Sequence, residues 1–123
     1  MITKKLLSIV ELGGYPDFSA IYQRAGFEVE MVTSMRKALG SLKKNRYDMV
    51  VCEFNFQSDF RDRTSSLESM MASLQRHPDT HIVVFYEKEF AHQFERISSR
   101  FNFHAALTYP VDEHLLEQSV SIQ

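Results

Sequence analysis

The chain has 123 residues, of which 44% are hydrophobic and 24% are charged, so it is long enough for one compact domain with its own core. Its 14 basic and 16 acidic residues are mixed along the sequence and give a formal net charge of −2, which argues against nucleic acid or a membrane surface as a partner. We therefore expect a single domain over residues 1–123.

The cysteine content and the amino terminus bear on the compartment. Cys52 is the one cysteine and lies in an apolar run, so it has no partner for an internal disulfide and fits a reducing environment. The first apolar run is short, Glu11 interrupts it, and neither a cleavage site nor a stretch long enough for a transmembrane helix follows. The sequence predicts a soluble cytoplasmic protein.

Five apolar runs have the character of strands, because they are short, rich in branched or aromatic residues and bounded by breakers. They span Leu6–Val10, Phe27–Val32, Tyr47–Phe54, His81–Tyr86 and, more weakly, residues 104–109 before Pro110. The second run alternates polar with apolar residues, as a half-exposed edge strand does. The first, third and fourth are typical of strands buried on both faces.

Segments with a helical spacing of apolar residues separate and follow these runs. They span residues 17–26, 33–45, 65–78, 89–101 and 112–120. Thr33 or Ser34 is the predicted cap of the second segment, and lysines fill its last turn, where the helix dipole favours cations. Strict alternation of strand and helix predicts an α/β fold, a doubly wound five-stranded parallel sheet in the flavodoxin-like order 2-1-3-4-5.

Two acidic residues, Glu11 and Glu53, each end an apolar run. A carboxylate costs far more in an apolar interior than it returns, so we expect Glu53 to emerge at the rim of the sheet. In the predicted order the first and third strands are neighbours, and ligand sites form outside the carboxyl ends of the strands. We therefore expect the two carboxylates to face each other across one crevice.

The sequence resembles the response-regulator receiver domain over essentially the whole chain. The resemblance rests on "SIVELGG", on the segment from Ala25 to Phe56, on "HIVVFYEKE" and on "ALTYPVDEHLLEQSV". The middle segment is the most specific, because "GFEV", the "KAL" helix and the "YDMVV" strand follow one another at the family's spacing. The resemblance implies a CheY-like three-layer sandwich that acts in two-component phosphorelay signal transduction.

The residues that carry the family's phosphoryl chemistry are different in this chain. Glu53 replaces the aspartate that accepts the phosphoryl group, and Leu12 stands where a second acidic residue usually follows Glu11. Tyr86 matches the hydroxyl residue that ends the fourth strand, and Tyr109 matches the lysine before the proline. The resemblance thus implies a degenerate phosphoacceptor pocket made of Glu11, Leu12, Glu53, Asn55, Tyr86, Tyr109 and Pro110.

These replacements predict that the pocket has lost its chemistry. Phosphoryl transfer depends on a metal ion and on cationic groups around the transferred oxygens, and this chain lacks one acidic ligand and the lysine. We expect weak or absent Mg²⁺ binding, no cofactor, no metal, no catalytic residue and no enzymatic activity. Tyr86 and Tyr109 are expected to fill the pocket and seal it.

Two local features allow alternative interpretations. The extra methylene of Glu53 pushes its carboxylate outward as a weak imitation of the phosphorylated state, or Glu53 is a solvated rim residue left after the site decayed. Gly13 and Gly14 form either a tight turn, which we favour, or a cradle of backbone amides for a phosphate.

The predicted function is that of a degenerate pseudo-receiver, a phosphorylation-independent protein-interaction module. Its expected partner is a protein, including a second copy of the chain, through the surface of helix 4, strand 5 and helix 5 over residues 87–100 and 111–120. The loop Gln57–Ser66 is a second candidate surface, in which Phe60 lies among charged residues or tucks inward.

Two further functions stay open. One is an atypical receiver that still accepts a phosphoryl group, on Asp59 or Asp62. The other is a flavodoxin-like domain that binds a small ligand or nucleotide at the turn of Gly13 and Gly14.

Overall fold

The computed structural model describes residues 4–54 and 66–121, in which strands and helices alternate along the chain. The strands are β1 (Lys4–Ile9), β2 (Phe27–Val32), β3 (Met49–Glu53), β4 (His81–Tyr86) and β5 (Ala105–Thr108). The helices are α1 (Ser19–Arg24), α2 (Met35–Lys44), α3 (Ser66–Leu74), α4 (Ala91–Ser98), which a 3₁₀ turn at Lys88–Phe90 precedes, and α5 (Glu113–Val120).

All the strand pairs in the sheet are parallel, and the strand order is β2-β1-β3-β4-β5. This confirms the predicted α/β fold and its strand order. The order reverses at β1, which lies between β2 and β3, so the carboxyl ends of β1 and β3 meet at the switch point where this architecture forms sites. In the register, Ser8 lies opposite Val51, and Glu53 lies opposite Phe85.

The sheet separates two apolar cores, because successive side chains of a strand point to opposite faces. One face packs against α2, α3 and α4 and receives Val50, Cys52 and Phe54 from the β3 segment. The other face packs against α1 and α5 and receives Met49 and Val51. Full burial of each such side chain contributes about 1.5 to 3 kcal/mol to folding. The same alternation places Glu53 on the face of Met49 and Val51.

Side-chain caps fix the start of two helices. The Ser34 hydroxyl accepts a hydrogen bond from the Lys37 backbone N–H at 3.1 Å, and Lys43 and Lys44 occupy the last turn of α2, as the sequence predicts. Asp112 caps α5 by accepting hydrogen bonds from two backbone N–H groups of its first turn.

The two edges of the sheet are β2 and β5. β2 exposes every polar residue of its alternating pattern, which confirms the prediction of a half-exposed edge strand. β5 has no fully buried residue, so both edges are open to solvent in part. None of the helices in the described part of the chain has the length and apolar character that crossing a bilayer requires.

Candidate functional site

The loop after β1 turns back over the end of β3. Gly13 and Gly14 both have positive φ, at +69° and +82°, a region that residues with a side chain rarely adopt. Two consecutive left-handed residues turn the backbone so that successive N–H groups of the loop point toward β3. The glycine pair thus follows a bend of the backbone at residues 11–12, and whether it forms a closed tight turn stays a prediction.

Glu53 lies beneath this loop and is almost completely buried, with 1% of its surface exposed. Its Oε1 accepts a hydrogen bond from the Leu12 N–H at 3.0 Å. Its Oε2 accepts hydrogen bonds from the N–H groups of Glu11 at 3.2 Å and Gly13 at 3.4 Å. The Tyr15 hydroxyl donates to the same Oε2 at 2.5 Å.

The expectation that Glu53 emerges at the rim of the sheet is wrong. Burying a carboxylate is costly only where it has no partners, and here backbone N–H groups and a phenol replace the water that it loses. The interpretation of Glu53 as a solvated remnant is therefore wrong, because its carboxylate is buried and bound by the loop after β1. The other interpretation, an imitation of the phosphorylated state, stays a prediction.

The backbone N–H groups of the loop after β1 donate hydrogen bonds to Glu53. The alternative to a simple turn was a cradle for a phosphate, and the N–H groups of residues 11–13 do converge on an anion. That anion is the carboxylate of Glu53 from the same chain. The position that a phosphate or nucleotide was expected to occupy is therefore taken by a side chain.

Tyr15 is a member of the site that the sequence analysis did not assign. Its ring stacks on Phe18 at 5.7 Å between centroids and on Tyr109 at 5.8 Å, and it meets the edge of Phe85 at 5.5 Å. Burial, the hydrogen bond to Glu53 and its charge raise the pKa of Tyr15, so the phenol stays protonated and remains a donor. A tyrosine two residues after Gly13 has no spacing signature that would have indicated this role.

Tyr109 packs on the same face of the sheet as Tyr15. Besides stacking on Tyr15, its ring lies 6.1 Å from that of Phe85. Burial, followed by the charges of Glu53 and Glu87, raises the pKa of its phenol. The neutral ring stands where the resemblance places a lysine, and the peptide bond that joins it to the exposed Pro110 is cis.

Tyr86 lies on the opposite face of the sheet. Its ring stacks on Phe94 at 4.5 Å, in the core formed with α2, α3 and α4. Adjacent residues of a strand alternate between faces, so Tyr86 points away from the side on which Phe85 meets Tyr15. The expectation that Tyr86 and Tyr109 together seal the pocket is therefore wrong for Tyr86, and for Tyr109 it stays a prediction.

Glu11 and Leu12 meet Glu53 through their backbone, and their side chains differ. The Glu11 side chain is half-buried, and burial together with the charge of Glu53 raises its pKa. The Leu12 side chain is 72% exposed. Glu11 and Glu53 do lie together, through the backbone N–H of Glu11. The expectation that their two carboxylates face each other across a crevice stays a prediction. Asn55 and nearly all of the loop 57–66 lie outside the described residues.

Metal-ligating side chains do not converge in the described parts of the chain. Residues 4–54 and 66–121 contain no group of three or more His, Cys, Asp and Glu that could hold a metal ion. The thiol of Cys52 is buried and donates to the Val83 carbonyl at 3.6 Å, and burial raises its pKa. Cys52 thus behaves as the small buried hydrophobe that its position in the sequence indicates.

Neither a family model nor a curated protein matches this sequence. Solved structures do match it, and one is a CheY-like response regulator receiver domain protein from Methanospirillum hungatei JF-1. It has a TM-score of 0.78 and 13% identity, over 97% of this chain and 91% of that one. A response regulator receiver domain protein from Clostridium thermocellum has a TM-score of 0.74 and 15% identity, over 95% and 90% of the two chains.

A third similar structure is described as a novel family of redox sensors in the streptococci that evolved from two-component response regulators. It has a TM-score of 0.70 and 18% identity, over 96% of this chain and 49% of that one. The sheet order and these structural similarities agree. The chain therefore has the CheY-like fold of response-regulator receiver domains.

Proposed function

We propose that this chain is a receiver-like signalling module that works by binding another protein, without phosphorylation at its acceptor position. The observation that carries the proposal is the burial of Glu53, with both carboxylate oxygens engaged by the loop after β1. The streptococcal redox sensors, which share the fold, are described as having evolved from response regulators, so the fold has been adapted to other inputs elsewhere.

The residues around Glu53 do not suit phosphoryl transfer. An acceptor needs an accessible oxygen, a metal ion and fixed positive charge around the transferred group. The oxygens of Glu53 face donors, Leu12 supplies no carboxylate, and Tyr109 supplies no cation. This set does not fit Mg²⁺, which takes carboxylates and waters in octahedral geometry. The proposal therefore includes weak or absent Mg²⁺ binding and no enzymatic activity.

The proposed interaction surface is the α4–β5–α5 face, made of Ala91–Ser98, Ala105–Thr108 and Glu113–Val120. Leu115 on α5 is 49% exposed, and Ala106 on β5 is also exposed. β5 is an edge strand, so this face combines an open sheet edge with apolar and charged side chains. The proposed partner is a protein in the cytoplasm, and the first candidate is a second copy of the chain.

The test of the phosphorylation-independent function is a mass measurement. The protein is incubated with Mg²⁺ and acetyl phosphate beside a conventional receiver, and the intact masses are recorded. We expect the conventional receiver to gain a phosphoryl group and this chain to keep its mass.

A phosphoryl adduct would contradict the proposal, and its position would identify the residue that accepts the phosphoryl group in this chain. An adduct on Glu53 would mean that the carboxylate leaves the loop readily. An adduct on Asp59 or Asp62 would support the alternative of an atypical receiver with a relocated acceptor.

A further inference from the structure

The loop after β1 is built like an oxyanion site. We define the cradle as the backbone N–H groups of Glu11, Leu12 and Gly13 together with the hydroxyl of Tyr15. These donors come from one short segment and lie 2.5 to 3.4 Å from the oxygens of Glu53. Successive N–H groups in a left-handed turn form the type of concavity that binds anions in many proteins.

The donors of the cradle all come from one segment, which is distant from β3 in the sequence. The donors precede Glu53 by 38 to 42 residues in the sequence. Gly13 and Gly14 adopt positive φ angles in this segment, and the rings of Phe18, Phe85 and Tyr109 pack around Tyr15. A donor that aromatic packing holds in place loses less conformational freedom when it binds an anion.

The group bound in the cradle is the carboxylate of Glu53, and its two oxygens accept hydrogen bonds from different donors. Oε1 meets the Leu12 N–H, and Oε2 meets the other three donors. A free carboxylate presents the same two oxygens in the same plane. Formate, the smallest carboxylate, corresponds to the terminal carbon and oxygens of Glu53.

We propose that the cradle is a binding site for a small carboxylate, that Glu53 is its built-in ligand, and that free formate binds there when the Glu53 side chain is shortened. In the native chain Glu53 excludes free carboxylates from the site. The inference goes beyond the proposed protein-binding function, and the result with acetyl phosphate does not decide it.

Glu11 adds a second carboxylate to the segment that forms the cradle. Its backbone N–H lies 3.2 Å from Oε2 of Glu53, and its half-buried side chain carries a charge of the same sign. A free carboxylate that replaces Glu53 meets the same repulsion. The double variant Glu11→Gln with Glu53→Ala should therefore bind formate more tightly than Glu53→Ala alone.

The experiment follows thermal unfolding while formate replaces chloride at constant ionic strength. The melting temperature of Glu53→Ala should rise saturably with formate, with a Kd on the order of millimolar. The matched control is Val84→Ala, which removes buried apolar volume on β4. The wild type and Val84→Ala should not respond, and neither should Glu53→Ala with neutral formamide.

The double variant Tyr15→Phe with Glu53→Ala tests how much the Tyr15 hydroxyl contributes to formate binding. Loss of one donor to a charged acceptor should weaken formate binding by about tenfold. No response of Glu53→Ala to formate, or an equal response of Val84→Ala, would overturn the proposal, because the effect would then be absent or a general effect of the salt.

A second measurement covers the case in which Glu53→Ala does not fold in chloride. Its refolding yield in formate and in chloride then makes the same comparison. In the wild type, the amide protons of Leu12 and Gly13 should resonate downfield and move upfield in Glu53→Gln. If Glu53→Ala refolds in neither salt, these amide shifts decide, and unchanged shifts in Glu53→Gln would refute the cradle.

Discussion

At the end of β3 the carboxylate of Glu53 is buried among hydrogen-bond donors. The side chain of Glu11, whose backbone N–H is one of these donors, is half-buried. The two side chains carry like charges, and burial and Glu53 together raise the pKa of Glu11. The folded-state pKa of Glu11 therefore lies above its unfolded-state value, close to the usual 4.5. Between these two pKa values the folded protein binds more protons than the unfolded chain.

This difference predicts the effect of Glu11→Gln. Because the folded state binds the extra protons, the stability of the wild type rises as pH falls through the folded-state pKa of Glu11. At pH 7 the ionised Glu11 opposes folding, so the variant should be more stable by about 0.5 kcal/mol, the size expected for partly exposed charges. The advantage should fade as pH falls toward 4.5. Urea unfolding at a series of pH values measures it.

The control is Glu28→Gln on the edge strand β2, which makes the same change of net charge at an exposed position. It should change stability little, because Glu28 lies away from Glu53 on a different strand. If Glu11→Gln were no more stable than wild type at pH 7, the like-charge repulsion would be contradicted.

The sequence indicated which residues form the site better than it indicated how they are arranged. The positions of Glu11 and Glu53 at the ends of neighbouring strands follow from strand order, which periodicity predicts. The burial of Glu53 does not follow from strand order. The glycine pair indicated a possible cradle of backbone amides, but nothing in the sequence indicates that these amides bind a side chain about forty residues away. Tyr15 was missed for the same reason, since its role depends on which rings surround it.

At the scale of elements, α5 shows how a short helix is held in place. It has eight residues, too few for a stable isolated helix, and it depends on burial of Leu116 and Val120 and on the Asp112 cap. The carboxylate of Asp112 accepts from the N–H groups of His114 at 2.8 Å and Leu115 at 3.2 Å. A charged cap also suits the positive end of the helix dipole.

Asp112→Ala should therefore lower the free energy of unfolding by about 1 kcal/mol, because it leaves two helix N–H groups without their acceptor and removes a favourable charge. Denaturant unfolding measures the change. The matched control is Ser34→Ala on α2, which removes a neutral cap with one hydrogen bond and should cost less. Asp112→Asn should restore most of the loss, and a loss for Ser34→Ala equal to that for Asp112→Ala would contradict the ranking.

The elements themselves were largely predictable, and the differences lie at their ends. The strand at His81–Tyr86 and the edge strand at Phe27–Val32 have the predicted bounds. β3 begins at Met49 instead of Tyr47, and the Tyr47 backbone carbonyl accepts a hydrogen bond from the Thr80 hydroxyl at 2.7 Å. Such ends depend on side-chain partners in other elements, which apolar periodicity does not encode.

At the scale of the whole molecule, the sheet leaves two open edges, each with a large exposed apolar side chain nearby. Leu115 lies on α5, which packs beneath the sheet near β5, and is 49% exposed. Met31 lies on β2 at the other edge and is 45% exposed. The proposed self-association uses the α4–β5–α5 face, so only the first of these residues should matter for it.

We expect the wild type to form a dimer of about twice 14.4 kDa in light scattering coupled to size exclusion, at concentrations where Leu115→Glu is a monomer. A glutamate in the centre of a two-fold interface faces its own copy, so it should cost about 2 kcal/mol, or roughly thirtyfold in Kd. Met31→Glu provides the matched control, because it introduces the same charge at nearly the same exposure and should leave the dimer intact. Dissociation by Met31→Glu alone would place the interface at β2, and a wild type that stays monomeric at every concentration would contradict self-association and leave a different protein as the partner of this face.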